Sequence, residues 1–255
     1  MTASQIRSVA VMQPTFLPWM GYFALMSEVD AFVFLDDVQF VKRSWQRRNR
    51  LAGPNGEVVV GLPVAGKPSR PLLSEARLAD QPIVEEIMPR IEGCLGKAPH
   101  WPLLEAMLER AFTRIPEGLS AVNIQLIRDM AEALNFTPQI MVSSQMNLPQ
   151  VDRASRFPTI CRALGATRYH SPVGSAEYLA EDRPFDGTEI TLTFQNFHHP
   201  VYDQGKGAFL SHMAAADAFA RLGPEATRDL ILSGVHSPLS ETELRERQDA
   251  DGRSG

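Results

Sequence analysis

The chain opens with two short apolar runs that carry no helical period. Val9, Ala10, Val11 and Met12 are consecutive, as are Ala31 to Leu35, and both read as buried strands. Between them, Trp19 to Val29 is made of helix formers placed after Pro18. Strand, short helix and strand in so few residues predict a βαβ unit with parallel strands. Glu57 to Val64 reads as a third strand, entered through the turn Gly53-Pro54-Asn55-Gly56. Its run Val58-Val59-Val60 suits a strand covered on both faces. Lys67 to Gln81 reads as an irregular connection.

The middle of the chain changes period. Pro82 to Leu95 predicts a helix, and Pro102 to Arg114 a second, with Leu104, Met107, Leu108, Ala111 and Phe112 on one stripe. Leu119 to Leu134 repeats the pattern through Val122, Leu126, Ile127 and Met130, with Ser120 as its expected N-cap. Short strands follow at Gln139 to Val142, Thr167 to His170 and Ile190 to Phe194. Helices are expected at Ala154 to Leu164, stopped by Gly165, at Ala208 to Leu222 and at Glu225 to Leu232. The alternation predicts an α/β fold: a mostly parallel Rossmann-like sheet flanked by helices, with residues 82–134 as a helical layer or cap. Residues 1–234 would form one domain. Residues 235–255, highly charged from Ser240 on, would form a disordered tail.

Composition removes several functions. Net charge is −5 over 255 residues, so nucleic-acid contact would need a local basic patch. Two cysteines, Cys94 and Cys161, suit reduced thiols rather than a disulfide framework. The N-terminus lacks a signal-peptide pattern, and no apolar run approaches the roughly 20 residues of a membrane span. A cytoplasmic location is the expectation.

Candidate chemistry concentrates in Asp36 to Arg50, "DDVQFVKRSWQRRNR". Two carboxylates, Asp36 and Asp37, end a strand. Lys42, Arg43, Arg47, Arg48 and Arg50 follow, with Phe40 and Trp45 between them. Ligands of open α/β sheets bind outside the carboxyl ends of the strands, where Gln13-Pro14 should also lie. Arginine grips phosphate bidentately, and Trp45 could stack on a base or sugar. A solvated charge run is the plain alternative. In "QPTFLPWMGYF", Phe16, Trp19 and Phe23 read as core, and Gln13 and Tyr22 as contacts. Ser171, Gly174 and Ser175 fall where a helix N-terminus could hold an anion, although Ser175 also suits a plain N-cap. His199 is a candidate general base. No metal-ligand spacing, P-loop, G-x-G-x-x-G or G-x-S-x-G occurs, so no metal or cofactor is expected.

These motifs, with "GPNG", "YHSPVGSAEYL", "HPVYDQ" and "GPEA" in order, resemble the WbqC-like protein family from about Val9 to Leu232. The resemblance implies a tailoring enzyme of bacterial O-antigen or related polysaccharide biosynthesis, transferring an acyl or glycyl-type aminoacyl group onto a sugar or other small acceptor. Carried over with it are Gln13, Pro14, Gly21, Tyr22, Asp36, Asp37, Gln39, Lys42, Arg43, Trp45, Arg47, Asn49 and Arg50, and also Tyr202 and Gln204. The donor would be activated and contain phosphate: a carrier-bound thioester, an aminoacyl-tRNA or an acyl adenylate. Asp36, Asp37 or His199 would take the proton from the nucleophile. The sequence also admits a nucleotidyltransferase-like enzyme, or a non-catalytic module binding a nucleotide-sugar or anionic glycan.

Overall fold

The computed structural model describes residues 5–66, 70–205 and 207–252. In chain order the elements are β1 (Ser8–Met12), α1 (Met20–Ser27), β2 (Ala31–Phe34), β3 (Arg48–Gly53), β4 (Gly56–Gly61), α2 (Ile83–Leu95), α3 (Trp101–Phe112) and α4 (Leu119–Ala133). Then come β5 (Gln139–Val142), α5 (Arg156–Leu164), β6 (Arg168–Ser171), α6 (Ala176–Asp182), β7 (Thr191–Phe197), α7 (Ala215–Leu222), α8 (Pro224–Ser233), β8 (Val235–Leu239) and α9 (Glu241–Gly252).

The main sheet has the order β5-β2-β1-β6-β7-β8, parallel except for β8, which runs antiparallel to β7. The expected α/β, mostly parallel, Rossmann-like arrangement is therefore present. Strand order reverses between β1 and β6, which makes the ends of these strands the switch point of the sheet. Alternation along the strands divides the core. Ala10, Phe32 and Phe34 face a layer built from α1 to α4 and α7. Val9, Val11, Ala31 and Val33 face Ile160 and Cys161 of α5, Leu179 of α6 and Leu244 of α9. Helix α1 is buried on all sides, Met20 through Met26, which is why its sequence shows no polar face.

Four expectations are corrected. Glu57 to Val64 does not enter the main sheet. Its strand, β4, forms a separate antiparallel hairpin with β3, and Val59 is 51% exposed rather than covered on both faces. The hairpin packs on α2 and α7. Helix α4 is entered through Gly118 rather than capped by Ser120; Gly118 has φ 107°, and a Cβ there would lie 2.7 Å from the Ala76 carbonyl oxygen. The helix expected from Ala208 begins only at Ala215, because Ala214 and Ala215 give their N–H groups to the carbonyls of Arg50 and Pro18, both at 2.8 Å. Residues 235–252, expected within a tail, instead form β8, which pairs with β7, and α9. Of the expected connection Lys67 to Gln81, residues 67–69 lie outside the described set, as do 253–255 of the tail.

A buried carboxylate joins the hairpin to α7. Asp217, fully buried, accepts from the Ala52 N–H at 2.8 Å, from Arg221 Nε at 2.7 Å and from the Tyr202 hydroxyl at 3.1 Å. Arg221 also donates to the Ala52 carbonyl at 3.0 Å. Asp217→Ala would strand the Ala52 N–H, the Tyr202 hydroxyl and Arg221 Nε at once. The expected loss is about 3–5 kcal/mol of stability, read from the urea midpoint, and an unchanged midpoint would contradict the role given to this carboxylate.

Candidate functional site

At the carboxyl end of β1 the chain leaves the sheet through Gln13-Pro14-Thr15-Phe16-Leu17-Pro18. Two prolines lack the N–H that a ladder needs, and Leu17 takes a left-handed φ of 49°. Three buried amide side chains hold this loop, two of them by donating to its carbonyls and one through the Gln13 side chain. Asn123, inside α4, donates to the carbonyls of Pro14 at 3.1 Å and Gln46 at 2.7 Å. Asn49 donates to Leu17 at 2.7 Å and Phe16 at 3.3 Å. Gln46 reaches the Gln13 side chain at 2.8 Å and accepts the Val41 N–H at 2.8 Å. The segments 13–22 and 36–50 therefore meet.

Their junction encloses a cavity of about 280 Å³ lined by Met12, Thr15, Trp19, Tyr22, Trp45, Asn49, Arg50 and His212. Trp19, expected in the core, is instead only partly buried and forms a wall of this cavity. Its ring lies over Gly21, where a Cβ would sit 2.2 Å from the indole, so only glycine fits. Tyr22 is buried and donates to the Gln13 carbonyl at 3.1 Å; burial raises its pKa well above 10, so it stays a neutral phenol. Trp45 is 49% exposed, with the guanidinium groups of Arg50 and Arg48 at 5.2 and 6.0 Å from its ring centre. Arg50 pairs with Glu57 at 3.1 Å, while its buried Nε has no partner among the described residues. Arg47 is spent on the carbonyls of Lys42 and Leu62, at 2.9 and 2.8 Å. Gln39, Lys42 and Arg43 are exposed.

Two histidines back the same wall. His212 has φ 59°, lines the cavity and lies 5.7 Å from the Trp19 ring. His199 stacks on Trp19 at 6.3 Å between ring centres and lies tilted against His212 at 5.0 Å. Its Nδ1–H donates to the Pro200 carbonyl at 3.0 Å, leaving a buried Nε2 with no described partner. His212 was not singled out from the sequence; its only signal there is a histidine in the weakly patterned stretch before α7.

A second cavity, about 320 Å³, opens at the ends of β2 and β5. Asp37, Ser74, Ser144, Asn147, Gln150, Arg156 and Thr159 give it a polar lining. Asp37 pairs with Arg156 at 3.1 Å and accepts a short hydrogen bond from the Ser143 hydroxyl. Asp36 is buried and holds the turn after β5, accepting from the Ser144 N–H at 3.0 Å, the Ser144 hydroxyl at 2.8 Å and the Ser143 hydroxyl at 3.2 Å. The two cavities are neighbours. Leu35, which lines the second, donates its N–H to the carbonyl of Met12, which lines the first, at 2.8 Å. The sheet edge runs between them.

The remaining expected residues lie elsewhere. Ser171 is buried and donates to the Pro172 carbonyl at 3.2 Å. Ser175 stands at the start of α6 without a side-chain cap bond. Tyr202 serves Asp217, and Gln204 clamps both backbone groups of Leu210 at 2.8 Å. His199 follows β7, three strands from β2, so about 14 Å of sheet separates it from the two aspartates.

An aromatic cavity with an arginine rim lies at the switch strand of a mostly parallel sheet, and this architecture defines an α/β protein of Rossmann-like type. The chain belongs to the WbqC-like protein family, which it matches over residues 13–229. It is 28% identical over 236 residues to the uncharacterized protein Rv1507c of Mycobacterium tuberculosis (strain ATCC 25618 / H37Rv), an alignment covering 87% of this chain and 96% of that one. No solved structure matches it. No helix among the described residues is long and apolar enough to cross a membrane, and no group of three or more His, Cys, Asp or Glu among them could hold a metal.

Burial lowers the His199 pKa below 6.5, against a smaller rise from its bond to Pro200. The unfolded chain then binds the extra proton first, so stability falls as pH drops below about 6.5 and levels off below the folded pKa. Urea midpoints at pH 7 and pH 5 should differ less in His199→Phe than in the wild type; an equal difference would remove His199 from this linkage.

Proposed function

We propose that the protein is a tailoring transferase that moves an acyl or aminoacyl group from a phosphate-containing activated donor to a sugar or other small acceptor. The observation that carries this reading is the pair of unlike cavities on either side of the β1–β2 edge. The first is walled by Trp19, Tyr22 and Trp45, with the unpartnered Arg50 Nε at its side. It suits an apolar or flat group with a phosphate outside, held by Arg50 and Arg48. The second offers Asp37, Arg156, Asn147, Gln150 and hydroxyls, a set that matches a polyhydroxylated acceptor.

In this mechanism the acceptor amine or hydroxyl attacks the donor carbonyl. Asp37 takes the proton that the nucleophile gives up, and the thiolate, ribose hydroxyl or phosphate of the donor leaves with the bonding pair. Asp36, with both oxygens engaged, fixes the turn that carries Ser143 and Ser144 beside Asp37. Cytoplasmic supply of the activated donor fits this reading.

Titration of the protein's tryptophan fluorescence with coenzyme A, ATP and a uridine diphosphate sugar tests donor binding. Arg50→Ala should weaken whichever ligand binds by about ten- to a hundredfold, the worth of one charged contact at roughly 1.5–3 kcal/mol. Unchanged affinity for all of them, with the fold intact by circular dichroism, would place the donor elsewhere. Asp37→Asn should keep donor affinity yet lose at least about a hundredfold in turnover; full activity in that variant would exclude Asp37 as the base.

A further inference from the structure

From Val41 to Gly61 the chain carries five cations, Lys42, Arg43, Arg47, Arg48 and Arg50, and one carboxylate, Glu57. That stretch is therefore +4 in a chain of net −5, and all other residues together sum to −9. Three large apolar side chains of the stretch also reach solvent: Val41 is 53% exposed, Trp45 49% and Val59 51%. It is ordered by its own arginines. Arg47 bonds the Lys42 carbonyl at 2.9 Å and Arg48 the Arg43 carbonyl at 3.3 Å, so the loop is tied down while Lys42 and Arg43 stay exposed. Arg50 lies opposite Val59 in the hairpin and 5.2 Å from the Trp45 ring, which joins the patch to the mouth of the aromatic cavity.

We propose that this basic, apolar-centred hairpin face docks an acidic carrier protein, whose phosphopantetheine arm enters the Trp19–Trp45 cavity. The inference rests on the donor site proposed above and names the form in which the donor arrives. An apolar centre ringed by cations complements an acidic amphipathic helix. The arm is slender, as a cavity of about 280 Å³ requires, and its phosphodiester would stand at the mouth, beside Arg48 and Arg50. A tRNA fits less well. Its phosphates extend far beyond one hairpin, over a surface whose remaining charge of −9 repels a polyanion. The guanidinium groups beside Trp45 also occupy space that a stacked base would need.

The test is a fluorescence-anisotropy titration of the full chain with a labelled holo acyl carrier protein. The apo carrier, tRNA, anionic phospholipid vesicles and free coenzyme A are titrated in parallel. Holo carrier should bind saturably, more tightly than apo carrier, and weaken with added salt. The double variant Lys42→Glu/Arg43→Glu, altered only at exposed side chains, should lose at least about tenfold in carrier affinity. Its circular dichroism should not change. Absent holo-carrier binding, equal binding by the double variant, or tighter binding of tRNA or vesicles than of carrier would each overturn the inference. If carrier binding fails while Arg50→Ala still weakens coenzyme A, only the docking partner is wrong; if Arg50→Ala changes nothing, the donor site itself falls.

Discussion

Everything at the carboxyl edge depends on three buried amides. The loop after β1 contains two prolines and a left-handed leucine, so its carbonyls can be matched by no regular ladder. Buried carbonyls without donors cost free energy on the scale of a lost hydrogen bond each. Gln46 and Asn49 come from a loop and the strand that follows it, Asn123 from a helix far along the chain, and each is at most 6% exposed. Their amides tie the loop, the basic segment and the helical layer into one unit. The cavity exists because these three elements are fixed to one another with a gap left between Trp19 and Trp45.

That arrangement assigns different work to residues that look alike in the sequence. Among the cations, Arg47 braces backbone, Arg48 and Arg50 flank Trp45, and Lys42 and Arg43 face water. Of the adjacent aspartates, Asp36 is enclosed by serine donors and Asp37 lines an open cavity beside Arg156. A charge held by several fixed donors is a structural element; one with a free side toward a cavity is available for chemistry. The pair of histidines behind Trp19 adds a third kind, imidazoles whose packing rather than charge sets the wall.

Much of the scaffold was legible because burial writes a period. Helices α2, α3 and α4 bury one stripe each, and their sequences repeat accordingly. The parallel strands β1 and β2 are covered on both faces and read as unbroken apolar runs. Strand β3 was not legible: Arg48-Asn49-Arg50 has no strand composition, and its pairing comes from β4 across the turn. Strand β8 and helix α9 were hidden for a related reason, since an edge strand and an outer helix bury so little that their residues stay polar. At the site, the cation cluster and the proline turn stood out. The amides that join them did not, although Asn123 interrupts the apolar stripe of α4 at a core position, and such a break is the signature of a buried polar duty. Asp217 left a similar mark, alone among alanines.

The position of β1 in the middle of the sheet has a consequence for synthesis. It is made before the other strands of the sheet, can pair with β2 soon after, and then waits for more than a hundred further residues before β6 arrives on its other side. Throughout that interval Val9, Val11 and one edge of β1 lack their final cover, while the helical layer can already assemble by local contacts. The nascent chain therefore passes through a half-sheet with an open apolar edge, and chaperone demand should be greatest before β6 emerges.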